Sequence, residues 1–317
     1  MMNKIKDIGE FGLINRIAKK SKNKEILVGI GDDAAVIKAK ELQVLTTDCL
    51  VEGDHFRREW FTPKQIGMKA IEINVSDVAA MGANPKYVLV SLALPGELEV
   101  EFVEELYKGM RKVCDKYNIE IIGGNITHCQ IIVISITLTG QVSQKNLSLR
   151  SGAKPGDSIF VTGNIGKGRA GLRLFQENLK GYEKVRKSYL EPKAQYKKSY
   201  LISSIVTSMI DISDGLAPEI KHICDKSKCG AIIYKDKIPM SEEVRSIAKE
   251  LDEDEYDYAL YGGEDFELVY TVSKNNLNKI NGYLVGEITK EKGLKLSQNG
   301  VLKNITKKGY DHFSNFV

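Results

Sequence analysis

Residues 63–94 read PKQIGMKAIEINVSDVAAMGANPKYVLVSLAL. Pro63 suits the first turn of a helix, where its missing N–H is not needed and its fixed φ fits. The segment from Lys64 to Met81 predicts that helix, and Tyr87–Leu94 reads as a strand. Helix followed by strand is the pattern that spreads outward from here in both directions. Toward the N-terminus, Glu25–Gly29, Ala35–Ile37 and Gln43–Thr47 look like short strands with acidic turns between or just after them. Toward the C-terminus, Glu99–Tyr117 predicts an amphipathic helix with Phe102, Val103, Leu106, Met110 and Val113 on one side. Ile119–Ile122 and Ile131–Thr139 follow as strands around a Gly-Gly turn.

Val142–Gly156 is polar and turn-rich, and it is read as the boundary between a domain over 1–142 and a second over 143–317. The second domain repeats the alternation. Strand Ser158–Thr162 leads into a glycine-rich loop and helix. A strand before Asp211, helix Leu216–Lys226 and strand Ala231–Tyr234 come next, then strands Phe266–Val272 and Tyr283–Ile288. The expected fold class is α/β (α+β) in two domains. No fixed-period repeat or low-complexity tract interrupts it.

Composition narrows the function classes. With 317 residues, 42% hydrophobic and 28% charged, the chain has material for one large or two medium globular domains. A net charge of +4, from 46 Lys+Arg against 42 Asp+Glu, gives no polyanion bias, so nucleic acid is not an expected partner. The five cysteines, Cys49, Cys114, Cys129, Cys224 and Cys229, match neither a zinc ribbon nor a redox pair and suggest reduced thiols. The first twenty residues form an amphipathic start without an apolar signal core, and no apolar run nears the ~18 residues of a membrane span. A cytoplasmic protein, not bound to a membrane, is expected.

The chemistry lies in where the acids fall. Gly29-Ile30-Gly31-Asp32-Asp33 sets adjacent carboxylates in a glycine-flanked turn, and Thr46-Thr47-Asp48 adds two hydroxyls and a carboxylate. Asn74 and Asp77 share one helix face. Asp211-Ile212-Ser213-Asp214-Gly215 and Gly262-Gly263-Glu264-Asp265 complete the set. Carboxylates in apolar, backbone-tight settings are costly unless paired or metal-bound, and hard oxygen ligands suit Mg²⁺ with phosphates. Each motif has a plainer reading: Asp32-Asp33 as a turn, Asp214 as a helix N-cap. Gly163-Asn164-Ile165-Gly166-Lys167-Gly168 lacks the spacing and the Ser/Thr of a phosphate loop. It either faces phosphate or simply turns strand into helix. Taken together, these residues point to a Mg-dependent enzyme acting on phosphate compounds. Phosphoryl transfer suits such a set, since its transition state asks mainly for positioning and charge neutralisation.

In order, the strings GIGDDAAVI, TTDCLVEGDHF, INVSDVAAMGANP, IIGGN, SGAKPGD, VTGNIG, DISDGL, GGEDFEL and GYDHF resemble the thiamine-monophosphate kinase family. DISDGL, GGEDFEL and SDVAAMGA are shared with the wider superfamily of aminoimidazole-ribonucleotide synthetases, selenophosphate synthetases and hydrogenase-maturation proteins. VEGDHF and the GYDHF tail are more specific. The resemblance implies a homodimer formed through the N-terminal sheet, and a C-terminal domain that closes the active site over ATP. It implies phosphorylation of thiamine phosphate by ATP with several Mg²⁺ ions. Metal positions then fall on Asp33, Thr46, Thr47, Asp48, Asp77, Asn125, Asp211 and Asp214, with Asp32 adjacent. ATP contacts fall on Tyr107, Gly124, Asn125, Arg150 and Ser213, and substrate contacts on His55, Glu264 and Tyr310.

Arg150 offers a planar fork to phosphate oxygens, and Tyr310 an aromatic face to a cationic ring. Glu264 could hydrogen-bond an aminopyrimidine or simply turn the chain. Relatives usually carry Gly-Gly-Asp-Thr-Thr where this chain has Gly123-Gly124-Asn125-Ile126-Thr127. Asn125 keeps an oxygen and loses the charge, so weaker binding of one Mg²⁺ is expected. The rival readings are another ATP-using superfamily enzyme, or a nucleotide sensor without turnover. The first cysteine lies inside a motif and the tail ends Asn-Phe-Val, and neither feature suits the selenophosphate or hydrogenase-maturation branches.

Overall fold

The computed structural model describes residues 4, 5, 7, 13, 16–18, 22–28, 36, 37, 39–307 and 309. By its contacts the chain divides into two compact units, Met1–Val78 with Ala83–Gln144, and Ala79–Gly82 with Lys145–Val317.

In the first unit, β1 (Ile26–Val28) and β2 (Val36–Ile37) pair antiparallel. β3 (Leu42–Val51), α1 (Pro63–Ala80), β4 (Asn84–Leu94), α2 (Val100–Tyr117), β5 (Glu120–His128) and β6 (Val133–Val142) follow. The four long strands form one sheet in the order β3-β6-β4-β5, antiparallel except for the parallel pair β4 and β5. Side chains alternate across a pleated strand. The register therefore sorts residues into rows: Asp48, Ile136, Val90 and Gly124 lie on one face, and Cys49, Ser135, Ser91 and Asn125 on the other. The first face is the covered one. Ile134, Ile136, Leu138, Val88, Val90 and Leu92 are all buried there, and α1 lies against it, with Val78 filling the space above Gly140. On the second face Leu45 is 68% exposed and Leu89 is 40% exposed.

β5 corrects one expectation, since the strand continues through Gly123-Gly124 instead of turning there, with a register shift against β4 between Ile121 and Gly123. Pairing with β4 supplies the backbone partners that a glycine-rich segment could not secure locally.

α2 is amphipathic as its spacing predicts: Val103, Leu106, Tyr107, Met110, Val113 and Cys114 are buried. Asn118 ends it in the left-handed region at φ 56°, donating its N–H to the Cys114 carbonyl. The helix crosses α1 at two glycines. A Cβ on Gly67 would overlap the Leu106 carbonyl, and one on Gly109 would overlap that of Lys64.

The second unit begins with β7 (Ser158–Val161), α3 (Lys167–Gln176), α4 (Glu183–Leu190), α5 (Tyr196–Ile202), β8 (Ser208–Asp211), α6 (Leu216–Ser227) and β9 (Gly230–Tyr234). It continues with α7 (Glu242–Glu250), α8 (Glu255–Tyr261), β10 (Leu268–Val272), β11 (Tyr283–Thr289), β12 (Gly293–Gln298) and β13 (Val301–Asn304). Its seven-stranded sheet has the order β13-β12-β9-β11-β7-β10-β8, in which β12 and β9 run parallel. Ile159, Val161, Ile210, Ile220, Ile223, Ile233 and Val269 make the centre of its core. β10 starts two residues later than its apolar run suggests. Glu264 and Phe266 are held in the left-handed region, at φ 64° and 51°, which no ladder accommodates.

The helix crossing gives a direct test. Gly109→Ala gains up to about 1 kcal/mol of helix propensity but drives a methyl into a backbone carbonyl. Overpacking of about 1–3 kcal/mol should dominate. The urea midpoint of the variant should fall, and a midpoint at or above that of the parent would show that the helices can separate freely.

Candidate active site

On the covered face of the first unit, three of the expected metal residues come together. Asp77, on α1, accepts a hydrogen bond from the Thr46 hydroxyl at 2.5 Å. Asp48 stands two residues along β3 on the same face, half-buried. Burial, and then the charge of Asp77, push its carboxyl up to about 7. A carboxylate whose proton affinity is raised by a second carboxylate, beside a hydroxyl, belongs to a donor set suited to a hard divalent cation, which would relieve the repulsion. The residues present therefore fit Mg²⁺. Thr47 alternates to the opposite face, and its hydroxyl donates to the Ile136 carbonyl at 2.9 Å. Gly124 shares a row with Asp48, whereas Asn125 shares one with Cys49 and faces the other way. The structure therefore does not bring Asn125 beside Asp48. Tyr107 is buried on α2, with the Arg111 guanidinium over its ring at 5.4 Å.

His55 follows β3 in a tight turn. Its Nδ1 accepts the Val51 N–H at 3.1 Å, and its own N–H donates to the Val51 carbonyl at 2.9 Å. An imidazole accepting at Nδ1 carries its proton on Nε2 when neutral.

The second unit gathers Asp211, Ser213, Asp214, Arg150 and Glu264. Asp211 is buried at the end of β8, paired in register with Leu268. Ser213 and Asp214 occupy the turn before α6, organised by a residue the sequence reading did not single out. The buried Glu219 carboxylate accepts the Ser213 hydroxyl at 3.3 Å and the Asp214 N–H at 3.2 Å. Burial and the charge of Asp214 push Glu219 up to about 7, while Arg150 acts in the other direction. An acid in the first turn of a helix that starts at an Asp-Gly turn was the available signal. Glu264 is tied to this turn by its N–H, 2.8 Å from the Ser213 carbonyl.

The glycine-rich loop resolves as a strand-to-helix turn. Its amides are taken by an internal anion: Asp265 accepts Gly166 N–H at 2.5 Å and Gly168 N–H at 3.0 Å. Lys167 pairs with the buried Glu267 carboxylate at 3.0 Å, and Glu267 also accepts the Thr162 hydroxyl at 2.6 Å. Thus the acids of GGEDFEL divide, with Glu264 on the Ser213 side and Asp265 and Glu267 locking the loop. Asp32, Asp33 and Tyr310 lie outside the described residues. Among the described residues no group of three or more His, Cys, Asp or Glu side chains is assembled to hold a metal.

Residues 31–142 match the family model "AIR synthase related protein, N-terminal domain", and residues 154–298 match the corresponding C-terminal domain, which sets the class. Within it, the thiamine-monophosphate kinase of Aquifex aeolicus (strain VF5) is 37% identical over 317 residues, covering 98% of this chain and all of its own. The crystal structure of thiamine-monophosphate kinase from Stenotrophomonas maltophilia K279a superposes with a TM-score of 0.83 at 31% identity, covering 93% of this chain and 98% of that one. The structure described as AaThiL complexed with AMPPCP and TMP gives 0.80 at 36% identity, covering 99% and 100%. The chain belongs to the thiamine-monophosphate kinase family.

Asp265 supplies a test of the loop. Burial pushes its carboxyl up to about 7, against the hydrogen bonds of Gly166 and Gly168 and the charge of Lys167. A raised folded-state value means the native protein takes up a proton the unfolded chain does not, from about pH 7 down to about pH 4. Unfolding free energy should therefore rise as pH falls through that window, with Glu219 and Asp48 acting in the same direction. Asp265→Asn should weaken this slope and cost about 1–3 kcal/mol at neutral pH from the amide left unmatched. Urea melts at pH 5, 6, 7 and 8 read both effects, and an unchanged slope would remove Asp265 from the account.

Proposed function

We propose that this chain transfers the γ-phosphate of ATP to thiamine phosphate, giving thiamine diphosphate and ADP. The observation that carries the reading is the Asp48–Asp77 pair with its Thr46 hydroxyl, in a member of a family named for this kinase activity. The acceptor phosphate is already substantially ionised near neutral pH, with a second pKa of about 6. No protein base is needed, and none is assigned.

Thr46, Asp48 and Asp77 of the first unit, with Asp33 and the adjacent Asp32, would hold Mg²⁺, and so would Asp211 and Asp214 of the second. Bound there, Mg²⁺ neutralises phosphate charge. Thr47 can contribute only through its main chain, because its hydroxyl is engaged on the other face. Asn125, on that other face, would serve a different ion or the nucleotide. Gly124, Arg150 and Ser213 are the remaining ATP contacts, and Tyr107 is the one least open to ligand. His55, Glu264 and Tyr310 bind thiamine phosphate, with the His55 Nε2–H as donor to its phosphate. We place the enzyme in the cytoplasm. No helix among the described residues is long and apolar enough to cross a membrane.

ADP release should require both thiamine phosphate and Mg²⁺, with unphosphorylated thiamine giving none. Asp77→Ala should remove turnover while leaving a cooperative melt. Asn125→Asp should lower the Mg²⁺ needed for half-maximal rate. ADP release without any acceptor would contradict the kinase reading.

We further propose that two copies meet through the open face of the four-stranded sheet, where Leu45 and Leu89 stand exposed among Thr137, Ser135 and Ser91. Exposed leucines on a sheet face gain most by mutual burial. Sedimentation should give a dimer for the parent and a monomer for Leu45→Asp. An unshifted dimer would place the interface elsewhere.

A further inference from the structure

We propose that Lys69 is a positioning residue for the thiamine-phosphate site, acting through His55. Lys69 lies on α1, two helical turns before Asp77, and is 0% exposed. An ammonium group shut away from water is costly unless its donors are met. Its Nζ donates to the main-chain carbonyl of His55 at 3.2 Å and stands 5.3 Å from the centre of the Phe61 ring. The main chain of His55 is thus gripped by Lys69 while its ring is gripped at Nδ1 by the Val51 N–H. The rest of the turn is fastened too: Gly53 N–H reaches the Phe56 carbonyl at 2.8 Å, and the Glu52 carboxylate accepts Ile132 N–H at 3.0 Å. With both ends of His55 held, the direction of its Nε2–H is set.

The placement also sorts charge along one helix. Asp77 serves Thr46 partway along β3, and Lys69 serves the turn beyond its end. The carboxylate end suits a cation and the ammonium–imidazole end suits a phosphate monoester. Binding that depends on a fixed donor direction is lost when the support loosens, even if the donor remains.

This inference rests on the reading of His55 as a thiamine-phosphate contact, and the test separates the two. In the full chain, Lys69→Met should raise KM for thiamine phosphate about tenfold, the scale of one charged hydrogen bond. KM for ATP should stay within about twofold, since uniform damage would move both. In a His55→Gln background Lys69→Met should add nothing further. Lys69→Arg, which keeps the charge and folds if Met at this position does not, should show a smaller rise confined to thiamine phosphate. Equal rises for both substrates, or additive effects in the double variant, would overturn the proposal. Nitrogen-15 NMR of the imidazoles reads His55 without turnover. The parent should show a single Nε2–H tautomer, and Lys69→Met a mixture. A His55 signal unchanged by Lys69→Met would overturn the role of Lys69. A KM for thiamine phosphate unchanged by His55→Gln would instead remove His55 from the substrate site, leaving the tautomer measurement to decide on Lys69.

Discussion

A carboxylate taken out of water must be met by donors or by a cation, and most of what is distinctive in this chain answers that demand. The second unit meets it internally. Asp265 finds two backbone amides at the start of α3, Glu267 finds Lys167 and the Thr162 hydroxyl, and Glu219 finds the Ser213–Asp214 turn. The bonds of Asp265 and Glu267 join segments about a hundred residues apart, and those of Glu219 close a local turn, so the acids act as fasteners for the loops around them. The first unit leaves the demand partly open, because Asp48 has Asp77 for a neighbour and its carboxyl is driven up to about 7. Asp265 and Glu219 are driven equally high, so what sets them apart is the amides and hydroxyl that meet them and not the raised carboxyl.

Backbone strain falls on either side of one of these buried acids. Glu264 and Phe266 take left-handed conformations on either side of the buried Asp265. Neither residue type favours that region, and each costs about 1–3 kcal/mol. The amides of Gly166 and Gly168 hold Asp265 in place, and the Ser213 and Ile212 carbonyls hold its neighbours. Glu264 is consequently presented by a rigid segment and not by a free loop.

Much of this was legible in the sequence because it depends on local pattern. The helix from Pro63, the amphipathic α2 and the cores of β4 and β6 follow from spacing, whereas β3 runs ten residues where spacing gives only Gln43–Thr47; the order of the acid-bearing motifs names the family. What escaped depends on partners distant in sequence. β5 passes through Gly123-Gly124 only because β4 lies beside it. Asp265 reads as one more candidate ligand until its partners, 97 and 99 residues away, are seen. Glu219 looks like an ordinary first-turn acid, and Lys69 like a solvated helix lysine, until burial is known. The polar hairpin of β12 and β13 and the short helices α4 and α5 carry too little periodicity to announce themselves. The opposed faces of Thr47 and Asp48, by contrast, follow from strand alternation and were available from the outset.

That alternation has a consequence for how this protein can change over time. Thr46, Thr47 and Asp48 are neighbours in the chain, yet they are sorted onto opposite sides of one strand. Gaining or losing a single residue in β3 would swap the sides wholesale, turning Leu45 inward and Asp48 outward. The strand therefore has a reading frame in space as well as in the gene. Descendants can exchange residues within it one at a time, but they cannot alter its length by one without surrendering both faces together.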